Sequence, residues 1–364
     1  MNENYQRNYL CALNHFIDYS TGDPTSVLAK EHGIIGITRI MSCMEKLGMD
    51  QDKIDLIALP DFTYTRNKLR WNAGFPYGCI VKFGRDLPPF IPLDFRPNCC
   101  GVALAVMDTF EETPDILQKK YYEIVLSHSA IDKSDLNRRN HFMGLYYCSE
   151  NKKYYFLIHG SFNFVKNALY FERNKELMSV SKTEIIMDEP FSYLIDYHAK
   201  EYYEGYLEHE YLTMYYRDLI IKELFPHAKI VFNQTHEGFY DIHTLLLGAY
   251  TDNSPFSCPI MLAPERDLPF ISITKPIPLK DESILYCAPH GGGYSLYEVA
   301  STQRLNNTLH ADYILTYPNN SKMLTDNVLD MPFVYRVNTV HHWCDKFHMA
   351  HELCRMTPIF NLKI

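Results

Sequence analysis

The sequence predicts an α+β fold, and three observations carry that reading. From Asp55 to Ala105, short apolar segments are broken by Pro60, Gly74, Pro76, Gly84, Pro88, Pro89, Pro92 and Pro97, the punctuation of strands and loops. One long helical pattern runs from about Pro190 to Pro226. Strands and helices do not alternate regularly, which argues against a doubly wound sheet.

The elements follow in chain order. Tyr154-Tyr155-Phe156-Leu157-Ile158 opens a β-rich stretch that runs from Lys153 to Phe171 through His159-Gly160-Ser161. In the long helix, Ser192 is the expected N-cap and Pro226 the stop. Leu194, Leu207, Tyr211, Met214 and Tyr215 mark its expected apolar face, and Gly205 costs about 1 kcal/mol relative to Ala. β-rich segments follow to about Tyr286, then a glycine-rich turn. A second helix is expected over about Thr339 to Met356, and a last strand from Thr357 to Ile364. The 364 residues are read as a single domain, with residues 1–55 as an N-terminal segment of less defined character.

Composition excludes several function classes. There are 35 Lys and Arg against 44 Asp and Glu, a net charge of −9, which argues against coating nucleic acid by bulk charge. No run of 18 apolar residues occurs, so no membrane association is expected. The first residues lack the basic-then-apolar order of a secretory signal, so the chain is expected in the cytoplasm with its ten cysteines reduced. None of them forms Cys-x-x-Cys, and most are expected to be buried thiols.

Six fragments could carry chemistry. His290-Gly291-Gly292-Gly293 places three glycines after a histidine, so backbone N–H groups can approach an anion closely. An esterase oxyanion hole is set aside, because Gly293-Tyr294-Ser295-Leu296-Tyr297 lacks the final glycine of a nucleophile elbow. A nucleophilic His290, or a glycine turn capped by a histidine, remains. Asn98-Cys99-Cys100-Gly101 offers either a soft metal ligand or two buried thiols in a turn. His141, His159 and His236 each read as a ligand or as a hydrogen-bonded core histidine. His341, Cys344, His348 and His351 would share one helical face, although one straight helix rarely supplies four tetrahedral ligands. No P-loop, Gly-x-Gly-x-x-Gly or His-Glu-x-x-His occurs.

Taken in order, these fragments resemble the RtcB family of RNA ligases, from about Ile57 to the C-terminus. Ala58-Leu59-Pro60-Asp61 resembles that family's Met-Pro-Asp, and Phe90-Ile91-Pro92 leading to Cys100-Gly101 resembles its metal-binding Cys-Gly. Asn140-His141-Phe142 and His159-Gly160-Ser161 resemble its Asn-His and His-Ser-Gly-Ser-Arg segments. Tyr202 to Arg217 resembles its long helix, and His236 its next ligand histidine. His290-Gly291-Gly292-Gly293 resembles His-Gly-Ala-Gly-Arg, Val334-Tyr335-Arg336 resembles Ala-Tyr-Lys, and Leu362-Lys363-Ile364 resembles Val-Lys-Gly. Departures are Pro97 in place of a metal-binding Asp, Gly144 for a Glu, and Asn163 and Tyr294 for two Arg.

The resemblance implies an RtcB-like domain with β-sheets around a central metal and nucleotide cleft and long flanking helices. It implies a ligase that joins RNA 3′-phosphate or 2′,3′-cyclic phosphate ends to 5′-hydroxyl ends, in tRNA splicing or RNA repair. The cofactors implied are GTP and one or two Mn²⁺ ions, with Zn²⁺ favoured by the usual affinity order. Cys100, His141, His159 and His236 would hold metal, with Asp94 as a substitute fifth ligand, and His290 would be the covalent nucleophile. Asn140, His290, Tyr335 and Lys363 would contact nucleotide. The partners implied are such an RNA and an activating protein of archease type. Two alternatives stand beside it: a non-catalytic metal-binding paralogue, and a metal-dependent nucleotidyltransferase or phosphoesterase of altered specificity.

Overall fold

The computed structural model describes residues 3–128, 131, 141–162, 174–262, 265–306, 310–336, 344 and 346–363. Its centre is a mixed sheet of eleven strands. Their spatial order is Phe16–Asp18, Ile54–Thr63, Tyr77–Phe83, Thr244–Leu247, Lys229–Asp241, Cys100–Met107, Lys153–Gly160, Phe142–Cys148, Ala350–Leu362, Leu268–Ile273 and Phe256–Pro259. The first pair is parallel, and the other neighbours are antiparallel. Few helices accompany it, so the α+β expectation describes the molecule.

The period-2 alternation of strands sorts the core into layers. Ala103, Ala105, Met143, Leu145, Phe156 and Ile158 face helices Pro114–Ser127 and Asp196–Leu224, packing on Leu117, Tyr121, Ile220 and Leu224. Val102, Leu104, Phe142 and Leu157 face the other way, onto Tyr250, Cys258, Ile260 and Met261. At the sheet's other end, helix Pro24–Lys46 is buried along most of its length, capped by Asp23 accepting from the Ser26 amide.

The long helix differs from expectation at its start. Glu189–Ile195 is a strand, paired with Lys182–Ile186 and Phe90–Pro92. Phe191 and Tyr193 point inward while Ser192 hydrogen-bonds Thr183, so Ser192 is no helix cap. The chain turns at Asp196, whose φ is +52°, and the helix runs Asp196–Leu224. Its apolar face is also displaced. Ala199, Tyr202, Tyr206, Ile220 and Ile221 are buried, whereas Leu207, Tyr211 and Tyr215 face solvent.

The second expected helix is overturned from Phe347 onward, whereas Cys344 and Lys346 are helical. Ala350–Leu362 is a strand held between Leu268–Ile273 and Phe142–Cys148, and His348 has φ +54°. Pairing on both edges overrides the helical spacing. Cys344, His348 and His351 therefore share no helical face, and His341 lies outside the described residues. Among the described residues, no helix is long and apolar enough to cross a membrane.

The long helix reaches the sheet through a glycine. A Cβ on Gly238 would lie 1.9 Å from the Tyr206 hydroxyl and 2.6 Å from its Cζ. Gly238→Ala is expected to cost about 1–3 kcal/mol in urea unfolding, as overpacking does. Adding Tyr206→Phe is expected to recover part of it, and an unchanged midpoint for Gly238→Ala would contradict this packing.

Candidate metal centre and histidine site

Three adjacent strands bring the donors together. Register sets Gly101 opposite Gly160, Val102 opposite His159, His159 opposite Phe142, and Glu237 opposite Cys100. Cys100, Val102 and Leu104 alternate onto one face, away from the two helices. On that face Cys100, His159 and His236 each present a ligand atom within 4.8 Å of the others, and all three residues are buried. Cys100 Sγ lies 3.0 Å from His159 Nε2 and 3.3 Å from His141 Nε2. The rings of His141 and His159 are 5.1 Å apart, those of His159 and His236 5.2 Å, and those of His236 and His290 4.9 Å.

The loop before Cys100 is tightly held. Arg96 and Cys99 have φ of +49° and +55°, a costly conformation that surrounding bonds must stabilise. Arg70 donates to the carbonyls of Phe95 and Arg96, and pairs with Glu237 in a buried salt bridge. The amide of Cys99 donates to the Glu237 carbonyl at 2.9 Å, and that of Cys100 to the Asn98 side chain at 2.8 Å.

His290 follows strand Ile284–Pro289, which pairs with Ala249–Asp252. His290 Nδ1 donates to Asp61 Oδ2 at 2.6 Å, and the Gly291 amide donates to the same oxygen at 3.1 Å. This fixes the imidazole proton on Nδ1 and leaves the lone pair on Nε2. His290 Nε2 and His236 Nε2 are both buried and without a hydrogen-bond partner. A Cβ on Gly292 would lie 2.8 Å from His290 Nε2, so the missing side chain keeps that nitrogen open. Of the glycine amides expected to cradle an anion, that of Gly291 is already engaged by Asp61.

Burial, then the surrounding histidines and Arg217, holds the pKa of His236 well below its ordinary value. It is therefore neutral near pH 7, the form that ligates metals. Its Nδ1 lies 3.3 Å from the Tyr250 hydroxyl. The donor set fits a divalent first-row cation: one sulfur, imidazole nitrogens, and a buried Nε2 with nothing else to bind.

Arg217 is fully buried beside this group. Its Nε donates to Asn233 Oδ1 at 2.9 Å and its Nη1 to the Gly160 carbonyl at 3.1 Å, while Nη2 is left unpartnered. Gly101 makes room for it, since a Cβ there would lie 2.8 Å from Nη2. Tyr77 stands edge-on to His290 at 4.9 Å, and burial raises its hydroxyl pKa well above the usual value.

The other expected site residues fall as follows. Asp94 does not join the Cys100 group. Burial raises its pKa, against the opposing charges of Arg96 and Arg39. Tyr335 is half exposed and pairs with Tyr294 just past the glycine turn, and the Arg336 amide donates to the Gly293 carbonyl. Lys363 follows the strand that pairs Leu362 with Met143, two residues from His141. Asn140 lies outside the described residues. Sequence reading gave no role to Asp61, Arg70, Glu237, Arg217 or Tyr250. Asp61 and Arg217 stand in the sequence only as the ends of the Ala58–Asp61 and Tyr202–Arg217 matches, and Arg70, Glu237 and Tyr250 carry no local signal.

No known protein-family model matches the chain, and no curated protein matches it.

Buried histidines make the fold acid-sensitive. His236 and His32 both have pKa values held well below the ordinary value, first by burial. In the unfolded chain they take up protons near pH 6.5, so unfolding binds more protons than folding. The metal-free protein is expected to lose about 1.4 kcal/mol per histidine per pH unit below about pH 6.5. Urea unfolding at a series of pH values checks this, and His236→Asn should reduce the slope. A flat profile between pH 7 and pH 5 would contradict it.

Proposed function

We propose that this chain is a divergent RNA ligase of the RtcB type, acting through a nucleotidylated His290. The observation that carries the reading is the buried Asp61–His290 pair, whose unpartnered Nε2 belongs to a ring 4.9 Å from that of His236 in the Cys100 donor set. Such a pair is a nucleophile with its proton held at the far nitrogen. The order of Cys100, His141, His159, His236 and His290 along the chain supports the same reading.

In the first step, His290 Nε2 bonds the α-phosphorus of GTP while the bond to the bridging oxygen breaks and pyrophosphate leaves. Asp61 keeps its hydrogen bond to Nδ1–H and balances the charge that develops on the ring. A terminal oxygen of the RNA 3′-phosphate then takes the GMP, breaking the N–P bond and restoring neutral His290. Last, the 5′-hydroxyl oxygen bonds the 3′-phosphorus, GMP departs, and the hydroxyl proton passes to solvent. A divalent cation held by Cys100, His159 and His236, with His141 adjacent, would neutralise phosphate charge. The buried guanidinium of Arg217 adds fixed positive charge at this group. Tyr335 and Lys363 are the residues assigned to nucleotide contact in this reading, and with a net charge of −9 the RNA would be confined to a local groove.

A second reading rests on exposure. His290 and Asp61 have side chains 1% and 0% exposed, as in a closed metal-binding centre kept for stability. Labelled GTP or ATP with Mn²⁺, followed by denaturing electrophoresis, separates the two. The ligase reading predicts a label on the wild type that is absent in His290→Ala and slowed about 10²–10⁴-fold in Asp61→Asn. Gly292→Ala should lose the label, because its Cβ would cover Nε2. No label on a metal-loaded wild type with either nucleotide would contradict the covalent reading and favour the non-catalytic centre.

A further inference from the structure

We propose that Cys11, His15 and Asp52 form a second binding site for a divalent transition-metal cation of zinc type, far from the Cys100 group. Sγ of Cys11, a ring nitrogen of His15 and a carboxylate oxygen of Asp52 lie within 4.8 Å of one another. Ligand atoms around tetrahedral zinc are about 3.5 Å apart, so only a small closure is needed. Cys11 Sγ and Asp52 Oδ1 are already 3.1 Å apart.

Three features mark this as more than a chance cluster. First, Cys11 and His15 are four residues apart at the end of helix Glu3–Asn14, so both point to one side, toward the short turn Gln51–Lys53. Second, His15 is oriented from behind. Its Nδ1 lies 3.1 Å from Asp55 Oδ1, and Asp55 Oδ2 accepts the Lys280 amide at 2.9 Å. A carboxylate at Nδ1 would hold the proton there and leave Nε2 as the ligand atom, the usual outer arrangement of a ligating histidine. Third, burial is graded. His15 is buried, Cys11 is intermediate and Asp52 is exposed, so a cation with three protein ligands would keep a water on the open side.

Charge agrees. Thiolate and carboxylate together balance a divalent cation, and Asp50 adds negative charge nearby. Arg7, the opposing cation near Cys11, is paired with Glu45. On binding, the Cys11 S–H bond would break, the S–metal bond form, and H⁺ go to solvent. The bound cation would staple the N-terminal helix to the edge of the main sheet. Asp55 stands six residues before Asp61 on one strand, roughly 20 Å away, so the two sites do not share a ligand.

The test uses the full chain stripped by chelator and titrated with Zn²⁺ and Co²⁺. Wild type should bind one more zinc per chain than Cys11→Ser. Cys100→Ala should keep a thiolate-to-Co²⁺ charge-transfer band that the Cys100→Ala, Cys11→Ser double variant lacks. Asp55→Asn, which removes no ligand, should weaken zinc at this site about 10–100-fold. Equal zinc content in wild type and Cys11→Ser would overturn the proposal. So would a charge-transfer band in Cys100→Ala that survives Cys11→Ser. Both comparisons are independent of nucleotide chemistry at His290, and the first needs no Cys100 variant to fold.

Discussion

The hydrogen bond from His290 Nδ1 to Asp61 is the interaction on which the site depends. It is 2.6 Å long and lies in the buried interior. It ties the glycine turn, which hangs from a separate three-stranded sheet, to the main sheet through strand Ile54–Thr63. In a low-dielectric interior such a bond is strong, and losing one partner would leave the other unsatisfied at high cost. The bond also selects the tautomer. With the proton on Nδ1, Nε2 carries the lone pair, the ring stands 4.9 Å from that of His236, and Gly292 leaves the space before Nε2 open.

The donor set beside it follows from sheet register. Cys100, His159 and His236 come from three neighbouring strands, so the backbone ladder fixes their spacing before any metal arrives. The Arg70–Glu237 pair and the strained loop at Arg96 and Cys99 then lock Cys100 in place. Leaving imidazole nitrogens and a guanidinium unpartnered in the interior is costly unless something else satisfies them. His236 Nε2, His290 Nε2 and Arg217 Nη2 are three such atoms around one centre, and a cation with an anionic ligand would satisfy them together.

The sequence made part of this legible. Proline and glycine punctuation marked the strands between Asp55 and Ala105, because those residues act on the backbone locally. The long helix was visible, but its first six expected residues, Pro190 to Ile195, read either way until tertiary pairing decided. Phe191 and Tyr193 alternate inward there as a strand requires. The C-terminal stretch misled for a similar reason: its His spacing fits a helix, but two flanking strands claim its backbone. Motif order along the chain marks five Cys and His positions, and of these Cys100, His159 and His236 converge. Asp61, Arg70 and Arg217 act through partners more than fifteen residues away in the chain, and no local pattern announces such pairs. The spacing of Cys11 and His15 was readable in principle, whereas Asp52 joins them only through the fold.

The central claim is a buried mixed thiolate and imidazole metal centre beside the Asp61–His290 pair. X-ray absorption spectroscopy of Cys11→Ser protein loaded with one equivalent of Zn²⁺ addresses it directly. The account predicts one sulfur scatterer at about 2.3 Å together with imidazole nitrogens at about 2.0–2.1 Å. The sulfur shell should vanish in the Cys11→Ser, Cys100→Ser double variant. A shell of nitrogen and oxygen alone in the Cys11→Ser protein would contradict the centre.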